Sequence, residues 1–245
     1  MASKVRLDRR LVELGLASSR QRATTLIEAG VVKIDGIRAT KASTQVDIAR
    51  AITLEKPDHP WVSRGALKLL SVLDPMEVSV AGKTCADLGC STGGFTEVLL
   101  SRGARCVYAV DVGRRLLHWR LRGDPRVHLF EGVNARHLEA LPEPIDLLVG
   151  DLSFISLKSI LPTVHRLLQP EGEAVLLIKP QFEVGRKALG KRGKVRSEED
   201  RLAAIEALKG VAEDLGFSYL KGKDSGLAGA RSGNVEHFMH LKRQA

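Results

Sequence analysis

The stretch Asp87-Leu88-Gly89-Cys90-Ser91-Thr92-Gly93-Gly94-Phe95 follows a hydrophobic run and precedes an amphipathic one, so it reads as the turn between a strand and a helix. Three glycines and two small hydroxyl residues leave its backbone almost bare, and a ligand can approach the peptide groups closely. Free N–H groups at the start of the following helix favour a polar or anionic ligand. Asp111 lies about 20 residues further on, at the end of the next predicted strand, where an acid can accept hydrogen bonds from the ribose hydroxyls of a nucleoside. The spacing Gly89-x-x-x-Gly93-Gly94 lacks the second glycine of the dinucleotide fingerprint, and no Gly-Lys-Ser/Thr follows, which disfavours both NAD and a nucleoside triphosphate. Two more positions stand out. Asp151, in Gly150-Asp151-Leu152-Ser153-Phe154, and Lys179, in Leu177-Ile178-Lys179-Pro180, each close an apolar run. The carboxyl ends of parallel strands are where open sheets handle ligands. A lysine ending a run as apolar as Ala174–Ile178 is poorly explained as a solvated surface charge. At such a place it can act as a base, or as a cation beside a forming alkoxide.

The elements that must position these residues alternate. Predicted strands at Thr84–Asp87, Arg105–Val110, Val127–Phe130, Ile145–Val149 and Glu173–Ile178 are interleaved with helices starting at Gly94, Arg114 and about Ser156. A helix from Ser197 to about Leu215 and two strands near Phe217–Leu220 and Val235–Leu241 complete the pattern. Such alternation predicts an α/β fold, a parallel sheet covered on both faces. Ahead of it, a helix from about Val62 to Leu73 carries Lys68 and buries Leu67, Leu69, Leu70 and Leu73. The twice-proline segment Glu55-Lys56-Pro57-Asp58-His59-Pro60 reads as a linker. Domain boundaries of 1–54, 55–60 and 61–245 follow.

The first of these is a small α+β unit. Leu7, Leu11 and Leu14 recur at helical spacing before Gly15; Ser18-Ser19 caps a second helix that stops at Gly30. Val31–Ile34 and Asp35-Gly36 give a strand and a hairpin turn, and Ala51–Leu54 a last strand. Arg6, Arg9 and Arg10 fall on one side of the first helix, with Arg20, Arg22 and Lys33 beyond. Arg6-Leu7-Asp8 and Ser19-Arg20…Ala23…Leu26-Ile27…Gly30…Val32…Ile34-Asp35-Gly36 resemble the S4-type RNA-binding domain. That resemblance implies that these six cations hold structured RNA by shape and phosphate contacts.

Composition agrees with a polyanionic partner: the 245-residue chain carries a net charge of +9. It has no run of about 18 apolar residues and no apolar core in its charged first ten, so a cytoplasmic protein with no membrane partner is expected. Three cysteines without metal-ligand spacing predict neither zinc nor a disulfide frame.

The Asp-Leu-Gly-x-x-x-Gly-Gly form of the loop resembles S-adenosylmethionine-dependent methyltransferases, and implies a Rossmann-like sheet. In these the loop, here Asp87, Gly89, Cys90, Ser91, Thr92, Gly93, Gly94 and Phe95, faces the amino-acid end of the cofactor. Asp111 would hold the ribose, and Asn134 falls where the adenine is contacted, although it also suits a turn. Residues 151–154 lack the prolines of the Asn/Asp-Pro-Pro-aromatic signature of base-amine methylation. No cysteine lies near Asp151 or Lys179 to attack a cytosine carbon. The ribose 2′-hydroxyl remains as the common acceptor on RNA. Lys68, Asp151, Lys179 and Glu236 then match the Lys-Asp-Lys-Glu tetrad of FtsJ-like ribose 2′-O-methyltransferases. Trp61-Val62-Ser63-Arg64-Gly65-Ala66-Leu67-Lys68, Asp151 through Leu157 and Ile178-Lys179-Pro180-Gln181-Phe182-Glu183 narrow the resemblance to the TlyA family. Its members are rRNA cytidine-2′-O-methyltransferases, some called hemolysins. The resemblance implies S-adenosylmethionine as cofactor, ribosomal RNA or subunits as partners, with 23S the first candidate and 16S the second, and no metal. Two other readings compete: a membrane-active hemolysin-like protein, and a non-catalytic rRNA-binding or assembly factor. The basic loop with Arg186, Lys187, Lys191, Arg192, Lys194 and Arg196 is expected to clamp RNA phosphates and to order on binding.

Overall fold

A computed structural model describes residues 4–17, 19–55, 60–227 and 233–245, without the side chain of Arg192. Ser18 and residues 56–59 of the expected linker lie outside the described residues. The chain forms two compact units, Met1–Pro60 and Trp61–Ala245.

The first unit contains β1 (Lys4–Arg6), α1 (Leu7–Glu13), α2 (Arg20–Glu28), β2 (Val32–Ile34), β3 (Ile37–Arg38), β4 (Gln45–Asp47) and β5 (Ile52–Leu54). The expected helices and hairpin are present: Ser19 caps α2 by accepting from the Arg22 N–H, and β2 pairs with both β3 and β5. Leu7, Leu11, Ala23, Ile27, Val32 and Val46 form its core. The short β1–β4 pair was not apparent from sequence, and it corrects one expectation. Arg6 does not share a face of α1 with Arg9 and Arg10, because it ends β1, paired with Gln45. Backbone carbonyls of Ala42 and Thr44 accept from the Asp8 and Leu7 N–H groups, so α1 can begin only at Leu7.

Asp8 is the polar centre of this unit, buried to 3% exposure. Its carboxylate accepts from Arg6 Nε and Nη2 at 3.1 and 2.9 Å and from Arg20 Nη2 at 2.9 Å. The Arg6 hydrogen bonds hold its carboxyl well below the usual carboxylate range, against the opposing effect of burial. Because the folded value is depressed, the stabilisation is present above the ordinary carboxylate range and is lost as pH falls toward the folded value. Asp8→Ala should lower the unfolding free energy of this unit by roughly 2 kcal/mol at neutral pH, the value of charge-assisted hydrogen bonds lost from a buried acid. Thermal melts at pH 7 and pH 3 should show the difference shrinking in acid.

In the second unit α3 (Gly65–Leu73) precedes β6 (Thr84–Leu88), α4 (Gly94–Ser101), β7 (Cys106–Asp111), α5 (Trp119–Arg122) and β8 (Val127–Glu131). Then come β9 (Ile145–Gly150), α6 (Leu161–Leu167), β10 (Leu168–Ile178), α7 (Pro180–Glu183), α8 (Glu198–Asp214), β11 (Phe217–Asp224) and β12 (His237–Arg243). The seven-stranded sheet runs β11-β12-β10-β9-β6-β7-β8. The five strands β10, β9, β6, β7 and β8 pair in parallel, and β12 is antiparallel to both its neighbours. Strand residues alternate between two cores: Leu148, Leu176 and Ile178 pack toward α6 and α8, while Leu147, Val149, Val175 and Leu177 pack toward α3 and α4. Both faces are therefore covered, as continuous apolar strands require. On α3 the fully covered side chains are Ala66, Leu69, Val72 and Leu73, with Leu67 and Leu70 half-buried.

Two helices differ from expectation. The helix after β7 starts at Trp119 rather than Arg114, since Arg115 takes a left-handed φ of 59° and the His118 N–H donates to Thr92 O. The segment 112–118 instead folds back toward the glycine loop. The helix expected from Ser156 is a 3₁₀ turn, Leu157–Ser159, because Glu183 takes the Ser156 hydroxyl and the Leu157 N–H. The α6 helix then begins with Pro162 in its first turn.

Candidate active site at the carboxyl edge of the sheet

Strand order reverses at β6, whose neighbours are β7 on one side and β9 on the other. Leu88 pairs with Val110 and with Gly150, so the chain leaves the sheet at Gly89, Asp111 and Asp151 side by side. The glycine loop fills this crevice. Gly89, Ser91 and Gly93 have φ of 83°, 48° and 96°, alternating with residues of negative φ. Such alternation turns successive N–H groups toward one side and forms a nest for a polar ligand. A Cβ on Gly93 would lie 2.3 Å from Leu121 Cδ1, and its left-handed φ would be strained in any other residue. Gly94 is required for packing: a Cβ there would meet Ser63 Oγ at 2.4 Å and Ala66 N at 2.8 Å, so its absence lets the start of α3 rest on α4.

Asp87 is fully buried, and its Oδ2 accepts from the Thr96 hydroxyl at 2.7 Å. Its Oδ1 has no partner among the described residues. Burial pushes the carboxyl up to about 7, Asp151 and Asp111 adding to the rise. Asp111 joins two loops, accepting from the Ser91 N–H at 2.8 Å and the Gly113 N–H at 2.7 Å. A carboxylate has about four acceptor positions, so it can still accept from a diol. Asn134 behaves as a turn residue, its Oδ1 accepting from the Arg136 N–H at 3.0 Å. Cys90 and Phe95 point into the packed side of the loop, and burial pushes the Cys90 thiol up. The bare loop, the orphaned acid oxygen and the diol-compatible Asp111 together fit a cofactor with a cationic amine and a ribose.

Next to the loop the structure gathers the four residues of the expected tetrad. Lys179 Nζ lies 2.6 Å from Asp151 Oδ1 and donates to Ser153 Oγ at 2.6 Å. Lys68 Nζ lies 2.7 Å from Glu236 Oε2 and 3.7 Å from Asp151 Oδ2. Lysines and carboxylates thus alternate in the order Lys179, Asp151, Lys68, Glu236. The Asp151 side chain is 22% exposed, those of Lys68 and Lys179 less and that of Glu236 only 3%, so the row opens at Asp151 and is closed at Glu236. Glu236 reaches this place because β12 is antiparallel: Ile178 pairs with His237, one step from Lys179 and Glu236.

Several supporting residues went unrecognised in the sequence. Thr96 and Ser153 contact Asp87 and Lys179 directly. Glu183 joins α7 to the segment after β9, accepting from Ser156 Oγ at 2.6 Å and the Leu157 N–H at 2.8 Å; burial raises its carboxyl. The motif Gln181-Phe182-Glu183 contained the signal, but its partners are 26 and 27 residues away. The basic loop is already folded, with 3₁₀ turns at Arg186–Ala188 and Lys191–Gly193 and a bridge between Leu189 and Val195. Ordering on binding is not needed for these residues. The Arg192 side chain is outside the described residues. In the first unit, Arg6 and Arg20 are bound to Asp8, Arg9 and Arg10 pair with Glu13, and Lys33 pairs with Glu55. Arg22 makes no ion pair among the described residues.

Comparison with known proteins identifies the family. Residues 61–243 match the model of the FtsJ-like methyltransferase family, and residues 5–50 match the S4 domain. The 16S/23S rRNA (cytidine-2′-O)-methyltransferase TlyA of Mycobacterium tuberculosis is 47% identical over 247 aligned positions, covering 100% of this chain and 92% of that one. The chain belongs to the TlyA family of FtsJ-like methyltransferases. A solved protein of Streptococcus thermophilus carrying a hemolysin name is 37% identical, with a TM-score of 0.76 over 100% of this chain and 90% of that one. An S-adenosylmethionine dependent methyltransferase of Mesorhizobium loti, 18% identical, shares the fold with a TM-score of 0.56 over 73% of this chain and 99% of that one. The family implies S-adenosylmethionine.

The buried Asp87 gives a test of the cradle. Its folded value is raised, so this group favours the folded chain at low pH, and that contribution is lost as pH rises through about 7. A bound cationic amine would favour the ionised form instead. The rise in melting temperature produced by S-adenosylmethionine should therefore be larger at pH 8 than at pH 6, and Asp87→Asn should remove that difference. An equal rise at both pH values in the unaltered protein would separate Asp87 from the cofactor.

Proposed function

We propose that this chain transfers a methyl group from S-adenosylmethionine to the ribose 2′-hydroxyl of a cytidine in ribosomal RNA. The observation that carries the reading is the row Lys179, Asp151, Lys68, Glu236 abutting the glycine loop. The names of the relatives support the RNA and nucleotide class, with 23S and 16S as the substrates to test. Asp87, Gly89 to Phe95 and Asp111 would hold the cofactor, with Asn134 shaping the turn beside them. S-adenosylmethionine supplies a methyl group on a positively charged sulfur.

The chain's residues then have three tasks. Lys179, held by Asp151 at the most exposed point of the row, meets the hydroxyl and either takes its proton or carries the charge that develops on oxygen. Asp151 and Ser153 fix the direction of the Lys179 ammonium or amine. Glu236 and Asp151 hold Lys68 between them, so that a second positive group faces the same site without repelling Lys179 freely. Together they align the attacking oxygen for in-line displacement. Residues 55–60 serve as linker to the S4-type unit, which grips the RNA through Arg22 and the outward parts of the paired arginines.

A hemolytic reading gains nothing from the fold: among the described residues no helix is long and apolar enough to cross a membrane. A purely structural RNA-binding role leaves two lysines and two acids at the sheet edge without a purpose.

Lys179→Ala should reduce methyl transfer by about 10³-fold or more, while cofactor affinity stays near normal, as expected for a group acting only on the developing charge. Tritium transfer from labelled cofactor to ribosomal RNA, followed by nuclease digestion and mass analysis, measures rate and product together. A base-methylated nucleoside, or a variant with unaltered turnover, would defeat the proposal. In the active protein, a rate rising with pH to a plateau marks Lys179 as base, and one falling at high pH marks it as cation. For the RNA grip, Arg22→Glu should weaken rRNA binding and reduce its salt dependence by about one counterion. Filter binding at several salt concentrations reads this out, with cofactor affinity as the control.

A further inference from the structure

The basic loop and the tetrad are joined by one side chain. Asn234 is buried to 4% exposure, two residues before Glu236. Its Nδ2 donates to Gly193 O at 3.0 Å and to Gln181 Oε1 at 2.9 Å. Its Oδ1 accepts from the Val195 N–H at 2.9 Å. Gly193 and Val195 lie near the tip of the 185–196 loop, and Gln181 lies two residues after Lys179. The amide therefore touches the loop twice, α7 once, and is covalently close to Glu236.

The loop's internal bonds do not fix it to the rest of the unit. Gly190 N–H donates to Lys194 O at 2.7 Å, and Arg196 N–H to Ala188 O at 3.0 Å, both within the loop itself. Arg186, Lys187, Lys191, Lys194 and Arg196 make no ion pair among the described residues, so no acid holds them in place. A primary amide suits the position because it offers donors and an acceptor at opposite ends of one short side chain. A carboxylate there would accept from Val195 but face the oxygens of Gly193 and Gln181 with no proton to give.

We propose that Asn234 is a positioning residue that locks the basic 185–196 loop in register with Lys179 and Glu236. RNA phosphates held by the loop's cations then present their ribose at a fixed distance from the tetrad. This role rests on the RNA-methylating function proposed above, whereas the lock itself rests only on the hydrogen bonds.

The test uses the full chain and the near-isosteric variant Asn234→Asp, with Gln181→Ala as a second variant that leaves both loop bonds intact. Limited trypsin digestion reads the lock, since the loop is rich in lysine and arginine. Asn234→Asp should speed cleavage within the loop by about tenfold and raise KM for RNA by a similar factor, the effect of losing one or two net hydrogen bonds. Cofactor affinity should stay within about twofold, which a general loss of folding would not allow. Gln181→Ala should keep the loop protected. Unaltered cleavage in Asn234→Asp overturns the lock. Faster cleavage with an unaltered KM for RNA overturns its link to substrate. Failure of the unaltered chain to methylate any RNA defeats the functional reading and that link together, and the digestion still decides whether Asn234 holds the loop.

Discussion

Two lysines and two carboxylates share one edge of the sheet, and each is tolerable there only because the next group carries the opposite charge. Partly buried ions lose hydration that a single neighbour in good geometry can replace, and removing one leaves another uncompensated. The row Lys179, Asp151, Lys68, Glu236 therefore demands four chain segments brought to one place within ion-pair distances. That demand explains the most unusual feature of the sheet. A strand parallel to the others would begin at the opposite edge, far from Lys179. Because β12 runs antiparallel beside β10, its first residues fall at the carboxyl edge, and Glu236 lies one step beyond the last paired residue.

The cofactor cradle depends on the same edge. Gly89, Asp111 and Asp151 follow paired residues of adjacent strands, so the nest, the acid proposed to hold the ribose and the first tetrad acid are set by register rather than by loop conformation. A Cβ on Gly89 would lie 3.1 Å from Asp151 O, which shows how tightly the loop and the tetrad abut. Gly94 makes a similar connection on the other side, letting α3 approach closely enough for Lys68 to reach between the two acids. The proposed methyl donor and acceptor sites are thus positioned by backbone contacts, which are stiffer than side-chain contacts and suit in-line transfer.

Much of this was legible in the sequence because it is local. Asp151 and Lys179 end apolar runs, and Gly89 to Gly94 announce a strand-to-helix turn. What was not legible depends on partners distant in the chain. Glu236 looks like any acid near a strand until β12 is known to lie antiparallel to β10; the tetrad resemblance, not its spacing, marked it out. Asp8 looks like an ordinary first-turn helix acid, yet it is buried under Arg6 and Arg20. Asn234 meets Gly193 and Val195 across 41 and 39 residues. The helix expected at Arg114 failed for a similar reason: the strand–helix alternation called for one, but a hydrogen bond to Thr92 and a left-handed Arg115 divert the chain.

The distribution of charge differs between the two units, and on the proposed function it separates two ways of holding RNA. In the first unit Arg6, Arg9, Arg10, Arg20, Lys33 and Arg50 are all paired with acids. An arginine bound to a carboxylate still presents N–H groups to a phosphate, but its charge is partly cancelled and its direction fixed. On the proposed function such paired cations would recognise a shape more than attract a polyanion, which leaves the salt-dependent part of this unit's grip to Arg22. The loop after Lys179 is the reverse, with its described cations unpaired and its backbone fastened by Asn234. Unpaired cations supply the salt-dependent attraction of counterion release. Attraction without a fixed geometry would raise affinity while leaving the ribose hydroxyl misplaced, which makes a neutral, buried amide the right kind of residue to hold a strongly charged loop in position.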